Sequence, residues 1–168
     1  QKGTVALSYG IEQRDMWSEK MSNRFHLPTR LYDCFIPPEE SVPISGRAPN
    51  GTGRGRCERV PGHCYEVPYQ AYRICFGPRK ETKDGRRYET LQSHLAGRGR
   101  LSTYVKIDTE GSEWTVLERL LESPEEMDKI RTLDMEVHFD MRTHSDEGQA
   151  EGRRSQREAL EAQVSIIE

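Results

Sequence analysis

The sequence predicts an α/β protein whose sheet is mainly parallel and carries helices on both faces. Short runs of apolar and β-branched residues alternate along the chain with segments of helical periodicity. This alternation is typical of right-handed crossovers between parallel strands. The 168 residues are enough for one domain with a sizeable core, so we expect a single domain spanning residues 1–168.

The first crossover is predicted from residues 4–35. Residues 4–11, TVALSYGI, form an apolar run that ends near a glycine, as a buried strand running into a tight turn does. Residues 14–25 have helical periodicity and begin at Asp15, a residue type that caps helices. Residues 29–35, TRLYDCF, are predicted to form the second strand. The apolar face of the helix is expected to hold Trp17, Met21 and Phe25.

The middle of the chain is predicted to be irregular. Residues 37–70 are rich in Pro, Gly and Arg and lack a period that would build a core, which indicates a loop insertion. A further strand is expected at residues 72–77, YRICFG. The pair Asp84 and Gly85 predicts a turn, and residues 93–102 predict a short helix closed by glycine.

The last third of the chain repeats the strand and helix pattern. Residues 103–108, TYVKID, and residues 130–139, IRTLDMEVHF, are predicted strands. Between them, residues 112–123 form a predicted helix, and residues 155–168 have helical periodicity. The apolar stripe of the first of these helices is expected to hold Trp114, Leu117 and Leu121.

Polar residues follow the predicted strands at their carboxyl ends, where open parallel sheets bind ligands. A glycine after the first strand lets backbone approach a ligand, and an acid after the second strand can accept from both hydroxyls of a ribose. This spacing favours a nucleoside cofactor, while a role of Asp33 in a turn is the structural alternative. The residues concerned are Ser8, Tyr9, Gly10, Glu12, Asp33, Asp108, Glu110, Gly111, Glu136 and His138.

Asp108 ends a strand apolar enough to be central in the sheet. A carboxylate at the middle of the sheet edge needs a hydrogen-bond donor. The candidates are the following helix terminus, Lys106, or a ligand that carries an amino or sulfonium charge. We expect the ligand to be the donor, because it explains why an acid rather than Ser or Thr stands there.

Two stretches carry a resemblance to a known family. Residues 105–120, VKIDTEGSEWTVLERL, with YETLQSHL before them and IRTLDMEVHF after them, resemble FkbM-type methyltransferases and their methyltransferase-like relatives. The hallmark of these proteins is a K-I-D-x-E-G-x-E turn followed by a helix and an E-[IV]-H strand. Residues 7–25 resemble the first motif of the methyltransferase-like relatives, which has S-x-G. The resemblance covers about residues 4–35 and 88–140.

The resemblance implies a Rossmann-like class I methyltransferase sheet, which we expect to end before its last strands. It implies S-adenosylmethionine as cofactor and a hydroxyl of a sugar, glycan or small molecule as acceptor. Gly10 would lie under the methionine part, Asp33 would hold the ribose, and Asp108 would line the methyl-transfer pocket. The further cofactor contacts would be Ser8, Tyr9, Glu12, Glu110 and Gly111, and the catalytic residues would be Asp108, Glu136 and His138.

Two alternatives from other classes remain. The first is a methyltransferase fold kept as a non-catalytic binding module, because the first motif is poor in glycine. The second is a nucleotide-binding oxidoreductase, which the missing dinucleotide glycine pattern disfavours. For Glu136 and His138, the structural alternative is that their side chains satisfy backbone groups.

The cysteines predict a disulfide rather than a metal site. Cys57 and Cys64 are separated by six residues, which is wider than the spacing of a zinc knuckle. The sequence Asn50-Gly-Thr is a glycosylation acceptor. Together with paired cysteines it favours the secretory lumen over the cytoplasm, with reduced thiols in the cytoplasm as the alternative.

Charge is unevenly distributed along the chain. Residues 108–168 hold 17 Asp and Glu against 7 Lys and Arg, whereas residues 1–107 hold 11 against 18. The basic half would attract an anionic ligand. Nucleic acid is the less favoured partner, since aromatic residues do not alternate with the basic ones of residues 79–100. No apolar run reaches the length of a membrane span, so we expect no membrane contact from this segment.

Overall fold

A computed structural model of the chain describes residues 3–48, 57, 64–110 and 112–138. The strands are β1 (Val5–Tyr9), β2 (Thr29–Tyr32), β3 (Tyr69–Tyr72), β4 (Cys75–Phe76), β5 (Glu81–Lys83), β6 (Arg86–Glu89), β7 (Thr103–Ile107) and β8 (Ile130–Met135). The helices are α1 (Met16–Phe25), α2 (Leu91–Leu95), α3 (Glu113–Leu121) and α4 (Pro124–Met127). The short helix α4 is the one helix of this part of the chain that the sequence patterns did not predict.

The main sheet has five strands in the order β3-β2-β1-β7-β8, and all neighbours pair in parallel. The α/β class and the parallel sheet are therefore confirmed. From β1 the chain first builds outward through β2 and β3, and it then returns to the other side of β1 with β7 and β8. The order thus reverses between β1 and β7, and open sheets bind ligands at such a switch point.

Both faces of the main sheet are covered. Side chains of β1 alternate between the faces, and Val5, Leu7 and Tyr9 share a core cluster with residues of α2 and α3. Leu31 belongs to a second cluster with Ile11, Ala48 and Tyr65. The hydroxyl of Tyr65 lies 2.8 Å from Ser18 Oγ, which places α1 on this second face. The prediction of helices on both faces is confirmed.

A second sheet of three strands, β4-β6-β5, lies beside the main one. Strands β5 and β6 pair in antiparallel fashion, and Asp84 and Gly85 between them have φ angles of 50° and 72°. Positive φ at both positions is typical of a two-residue hairpin turn, so the predicted turn is confirmed.

The prediction of one strand at residues 72–77 is wrong. Residues 69–72 form β3 in the main sheet, while Cys75–Phe76 form β4 in the second sheet. The pairing of β3 with β2 ends at Tyr72, whose carbonyl accepts from the backbone N–H of Asp33 at 3.1 Å. The chain then leaves the main sheet, so one apolar run serves two sheets.

Helix α1 begins as predicted but buries a different face. The side chain of Asp15 accepts from the backbone N–H of Trp17 at 3.2 Å, which confirms the N-cap. The buried side chains of α1 are Ser18, Glu19 and Ser22, whereas Phe25 is 54% exposed. The predicted packing face of Trp17, Met21 and Phe25 is therefore wrong.

Hydrogen bonds explain why the polar face of α1 turns inward. Ser22 Oγ accepts from the backbone N–H of Val67 at 2.9 Å and donates to the carbonyl of Val67 at 3.2 Å. Asn23 makes a similar pair of bonds, to the carbonyl of Cys64 and from the N–H of Glu66. The segment between α1 and β3 has backbone groups that need partners when buried, and α1 supplies them.

The predicted insertion at residues 37–70 contributes to the core. Ala48 and Tyr65 are buried, and Val42 and Ile44 pack against the same cluster. The described part of this stretch before β3 lacks a helix or a long strand, as the missing period predicts, but its single buried side chains still add to the core on the face that α1 also covers. Asn50 of the glycosylation sequence lies outside the described residues.

Helix α3 and strand β8 lie where predicted, but β8 ends at Met135, before Glu136 and His138, and the buried face of α3 differs. The buried residues of α3 are Glu113, Trp114, Val116 and Leu120, while Leu121 is 46% exposed. The predicted stripe is therefore shifted by about one position. Residues 155–168 lie outside the described part of the chain. Among the described residues, no helix has the length and apolar character needed to cross a membrane.

Disulfides join Cys34 to Cys75 and Cys57 to Cys64. The expected pairing of Cys57 with Cys64 is present, and the other two cysteines pair as well. The first link connects residues 41 positions apart, at the end of β2 and the start of β4. The second closes a segment of 7 positions. Two disulfides are typical of a protein from an oxidising compartment.

Loss of the long link should cost more stability than loss of the short one. In the chain-entropy account, Cys34→Ser with Cys75→Ser lowers the free energy of unfolding by about 4 kcal/mol, and Cys57→Ser with Cys64→Ser by about 2 kcal/mol. Urea unfolding under oxidising conditions measures both. Wild-type protein treated with dithiothreitol is the control. Equal losses, or a larger loss for the short link, would contradict the expectation.

Candidate functional site

A cavity of about 480 Å³ opens at the carboxyl edge of the main sheet, at the switch point between β1 and β7. Its lining residues come from the ends of β1, β2 and β7 and from the start of β4. They are Gly10, Glu12, Tyr32, Asp33, Cys34, Phe35, Ile36, Ile74, Cys75, Phe76, Asp108, Thr109, Glu110 and Ser112. The prediction that Gly10, Asp33 and Asp108 share one pocket is therefore confirmed.

Gly10 allows β1 and β7 to meet closely at the cavity floor. Its φ is +74°, and a Cβ added there would lie 1.6 Å from the backbone oxygen of Asp108. A side chain at this position would therefore collide with backbone that cannot move alone. The glycine was predicted to let backbone approach a ligand. The structure gives a further reason for it, namely the contact with Asp108.

Asp33 organises the two loops that border the cavity. One carboxylate oxygen accepts from the backbone N–H groups of Ile11 at 3.1 Å and Glu12 at 3.3 Å. The other accepts from Phe35 at 2.9 Å and Ile36 at 3.2 Å. A carboxylate has about four lone-pair sites, so backbone groups use all of them here. Asp33 therefore has the turn-forming role that was the alternative to ribose binding. Its contact with a ribose stays a prediction.

Asp108 has a charged partner within the chain. Lys106 Nζ lies 3.1 Å from Asp108 Oδ2 and donates to the carbonyl oxygen of Gly10 at 2.6 Å. The ammonium group thus joins the ends of β1 and β7 below the cavity. The expectation that only a ligand supplies a donor to Asp108 is corrected, because Lys106 supplies one.

A buried glutamate holds His138 beside Asp108. Glu113 is fully buried, and its Oε1 accepts from the backbone N–H of His138 at 3.0 Å and lies 2.7 Å from Nδ1 of the ring. Thr109 Oγ1 donates to the other oxygen at 3.3 Å. Glu113 is also the first residue of α3, where the helix dipole favours a negative charge. These contacts offset the cost of burying the carboxylate.

The contact with Glu113 determines which nitrogen of His138 is a base. A carboxylate only accepts hydrogen bonds, so Nδ1 carries a proton and the neutral ring has its lone pair on Nε2. Nε2 lies 4.0 Å from Asp108 Oδ1 and 3.5 Å from Glu136 Oε1. The hydrogen bond to Glu113 raises the pKa of His138 above its ordinary value, burial opposes this, and the charges of Glu113, Asp108 and Glu136 add to it.

The predicted catalytic residues lie together. One ligand atom each from Asp108, Glu136 and His138 falls within 4.8 Å of the other two. A divalent cation accepts carboxylate and imidazole ligands at such a spacing, although the sequence predicted no metal site. Glu136 is 68% exposed, and exposed acidic groups commonly lie close together without an ion, so we assign no metal to this cluster. Neither Glu136 nor His138 lines the cavity, but His138 Nε2 lies 4.0 Å from Asp108, which does.

Ser8 and Tyr9 lie away from the cavity. Both are fully buried in β1, and Tyr9 packs in the core below the sheet. The Tyr9 hydroxyl lies 2.7 Å from His94 Nδ1, and burial raises the pKa of Tyr9 well above its ordinary value. Their side chains are therefore not placed to contact a ligand there. Glu12 and Glu110 line the cavity, while Gly111 lies outside the described residues.

Glu113 and Lys106 were not among the predicted site residues. The signal for Glu113 was the last letter of the K-I-D-x-E-G-x-E pattern, an acid at the first turn of an amphipathic helix. Lys106 lies two positions before Asp108, so both side chains project from the same face of β7. Lys106 was one of the candidate donors to Asp108, whereas only the fold reveals the partner of Glu113.

Comparisons with protein-family models, curated proteins and solved structures gave no match to the chain.

Glu113→Gln should lower the pKa of His138 towards its ordinary value of about 6.5, because the amide carries no charge. Nuclear magnetic resonance titration of the His138 ring measures this. The raised folded-state pKa means that the protonated ring stabilises the fold below the pKa of the unfolded chain. That contribution is lost as the pH rises through the folded-state pKa, and it shrinks in the variant.

Glu136→Gln is the matched control, since the Glu136 side chain is 68% exposed and solvent screens its charge. It should shift the pKa of His138 less than Glu113→Gln does. An unchanged pKa in Glu113→Gln would show that Glu113 does not control the ring.

Proposed function

We propose that the cavity at the carboxyl edge binds S-adenosylmethionine and that the chain transfers its methyl group to a hydroxyl of a sugar, glycan or small molecule. The observation that carries the proposal is the meeting of Gly10, Asp33 and Asp108 around this cavity, next to the ring of His138. The volume of about 480 Å³ falls within the range of roughly 300–1,000 Å³ of small-molecule sites.

The lining of the cavity fits the parts of such a cofactor. Tyr32, Ile74 and Phe76 provide an apolar side that suits a purine ring. Asp108 provides a negative charge for the amino and sulfonium groups. Because backbone N–H groups occupy Asp33, a ribose contact there would replace some of these bonds. Glu12, which is exposed at the same wall, is a second acceptor for the ribose hydroxyls.

The residues beside the cavity support proton removal from a hydroxyl. S-adenosylmethionine supplies the methyl group when it is bound. His138 Nε2, unprotonated in the neutral ring, takes the proton that the acceptor oxygen loses as it is methylated. Glu113 keeps the ring in this tautomer and orientation. Asp108 and Glu136 stabilise the imidazolium that forms, since their carboxylate oxygens lie 4.0 Å and 3.5 Å from Nε2.

A non-catalytic binding module is the second candidate, and one observation favours it. Two of the four acids of the cavity wall already have partners in the chain: backbone N–H groups bond to Asp33, and Lys106 pairs with Asp108. Such pairing also stabilises a fold that performs no chemistry. The two candidates differ in whether the cavity binds the methyl donor and whether His138 is needed for turnover.

Calorimetric titration with S-adenosylhomocysteine tests the binding step. We expect saturable binding at one site. Adenosine diphosphate is the control ligand, because it shares the nucleoside but lacks the positive amino group that Asp108 would attract. Binding of neither ligand would overturn the cofactor assignment, and equal binding of both would indicate a general nucleoside site.

Asp108→Asn should keep the fold and lower methyl transfer by about a hundredfold, because the neutral amide no longer supports proton transfer to His138. The amide is nearly isosteric and still accepts from Lys106. Single-turnover release of S-adenosylhomocysteine with an accepted substrate measures the effect. A wild-type rate in this variant, together with no turnover in His138→Asn, would place the chemistry on the segment after β8 and reduce Asp108 to a structural role.

A further inference from the structure

A second cavity, of about 370 Å³, opens at the opposite edge of the main sheet. It lies where β1, β2 and β3 begin, and its lining includes Gly3, Thr4, Arg30, Gln70 and Arg98. The five residues of β1, at about 3.3 Å each, separate it from the first cavity by roughly 15 Å. It is therefore a distinct place on the molecule, and the proposed methyl transfer does not use it.

Arg98 is held at this cavity with its charge unbalanced. The residue is only 7% exposed, and its guanidinium donates to the carbonyl oxygens of His94 at 3.0 Å and Gly3 at 3.4 Å. Both acceptors are neutral. Among the described residues, no carboxylate forms an ion pair with Arg98. A buried charge without an opposite charge is costly.

A second guanidinium increases this imbalance. Arg30 lines the same cavity and likewise has no carboxylate partner within the described part of the chain. Burial lowers the pKa of Arg98, and the charge of Arg30 lowers it further. Two positive groups that repel each other at one cavity are stabilised when an anion binds close to both.

We propose that this cavity binds a tetrahedral oxyanion, as the free phosphate ion or as the phosphate group of a small phosphomonoester, between the guanidiniums of Arg30 and Arg98. The planar fork of a guanidinium matches phosphate oxygens with paired N–H groups. The volume leaves room for more than the phosphate group itself, and Gln70 offers an amide at the wall.

Calorimetric titration of the full chain with inorganic phosphate, and separately with glycerol phosphate, tests the proposal. We expect saturable binding that weakens as the salt concentration rises. Tighter binding of glycerol phosphate than of phosphate would support a phosphomonoester as the ligand, and equal binding would support the free ion. Acetate bound as tightly as phosphate would overturn the assignment of a tetrahedral anion.

Arg30→Gln is the informative variant, because Arg30 is only partly buried and its loss should leave the fold intact. The dissociation constant for phosphate should rise about tenfold or more. Arg119→Gln, which removes the same charge from the exposed side of α3, is the matched control and should change it by less than about twofold. Arg98→Lys, which keeps the charge but loses the fork, should also weaken binding.

Two results would overturn the proposal. One is the absence of saturable phosphate binding by the wild-type chain, as expected if an acidic side chain of the chain itself fills the cavity. The other is an equal loss in Arg30→Gln and Arg119→Gln, which would indicate a general effect of net charge. Neither readout involves methyl transfer, so a failure here leaves the proposed function of the first cavity standing.

Discussion

The close approach of β1 and β7 at their carboxyl ends is the constraint on which the site depends. A Cβ at Gly10 would lie 1.6 Å from the backbone oxygen of Asp108, so the two strand ends can meet only because this position is glycine. Lys106 then reaches both the Gly10 carbonyl and the Asp108 carboxylate. Since the strand order reverses here, the same contact places the loops after β1, β2 and β7 around one cavity.

The arrangement around His138 depends on a charge buried under α3. Glu113 has no exposed surface, yet its carboxylate is satisfied by the His138 backbone, the His138 ring and the Thr109 hydroxyl, with the helix terminus adding to these. Trp114 fixes the same segment from the next position, because its Nε1 donates to the His138 carbonyl at 2.7 Å. Helix α3 thus holds the residues after β8 in place, and it orients the ring towards Asp108.

The sequence was informative where one interaction dominates. The strand-forming runs of β1 and β7 are apolar and short, and parallel pairing fixes where they end, so Gly10, Asp33 and Asp108 could be placed together. Prediction from the sequence failed where the hydrogen-bond partners of a residue lie far along the chain. The face of α1 turns inward at Ser18 and Ser22 because residues 64–67 offer backbone groups and a tyrosine hydroxyl. Hydrophobic periodicity depends on apolar side chains alone, so it does not predict such hydrogen bonds.

Asp33 and Asp108, two of the four acids that line the cavity, differ in what a ligand would change. Asp33 holds the loops at Ile11 and Phe35 through bonds to both of its oxygens, so any hydroxyl that it accepts from must displace a loop contact. Asp108 has one oxygen paired with Lys106 and the other 4.0 Å from the His138 ring, which leaves lone pairs open towards the cavity. The proposed cofactor would therefore affect the order of the loops through Asp33 and the protonation of His138 through Asp108. Of the two residues, Asp33 mainly maintains the shape of the cavity.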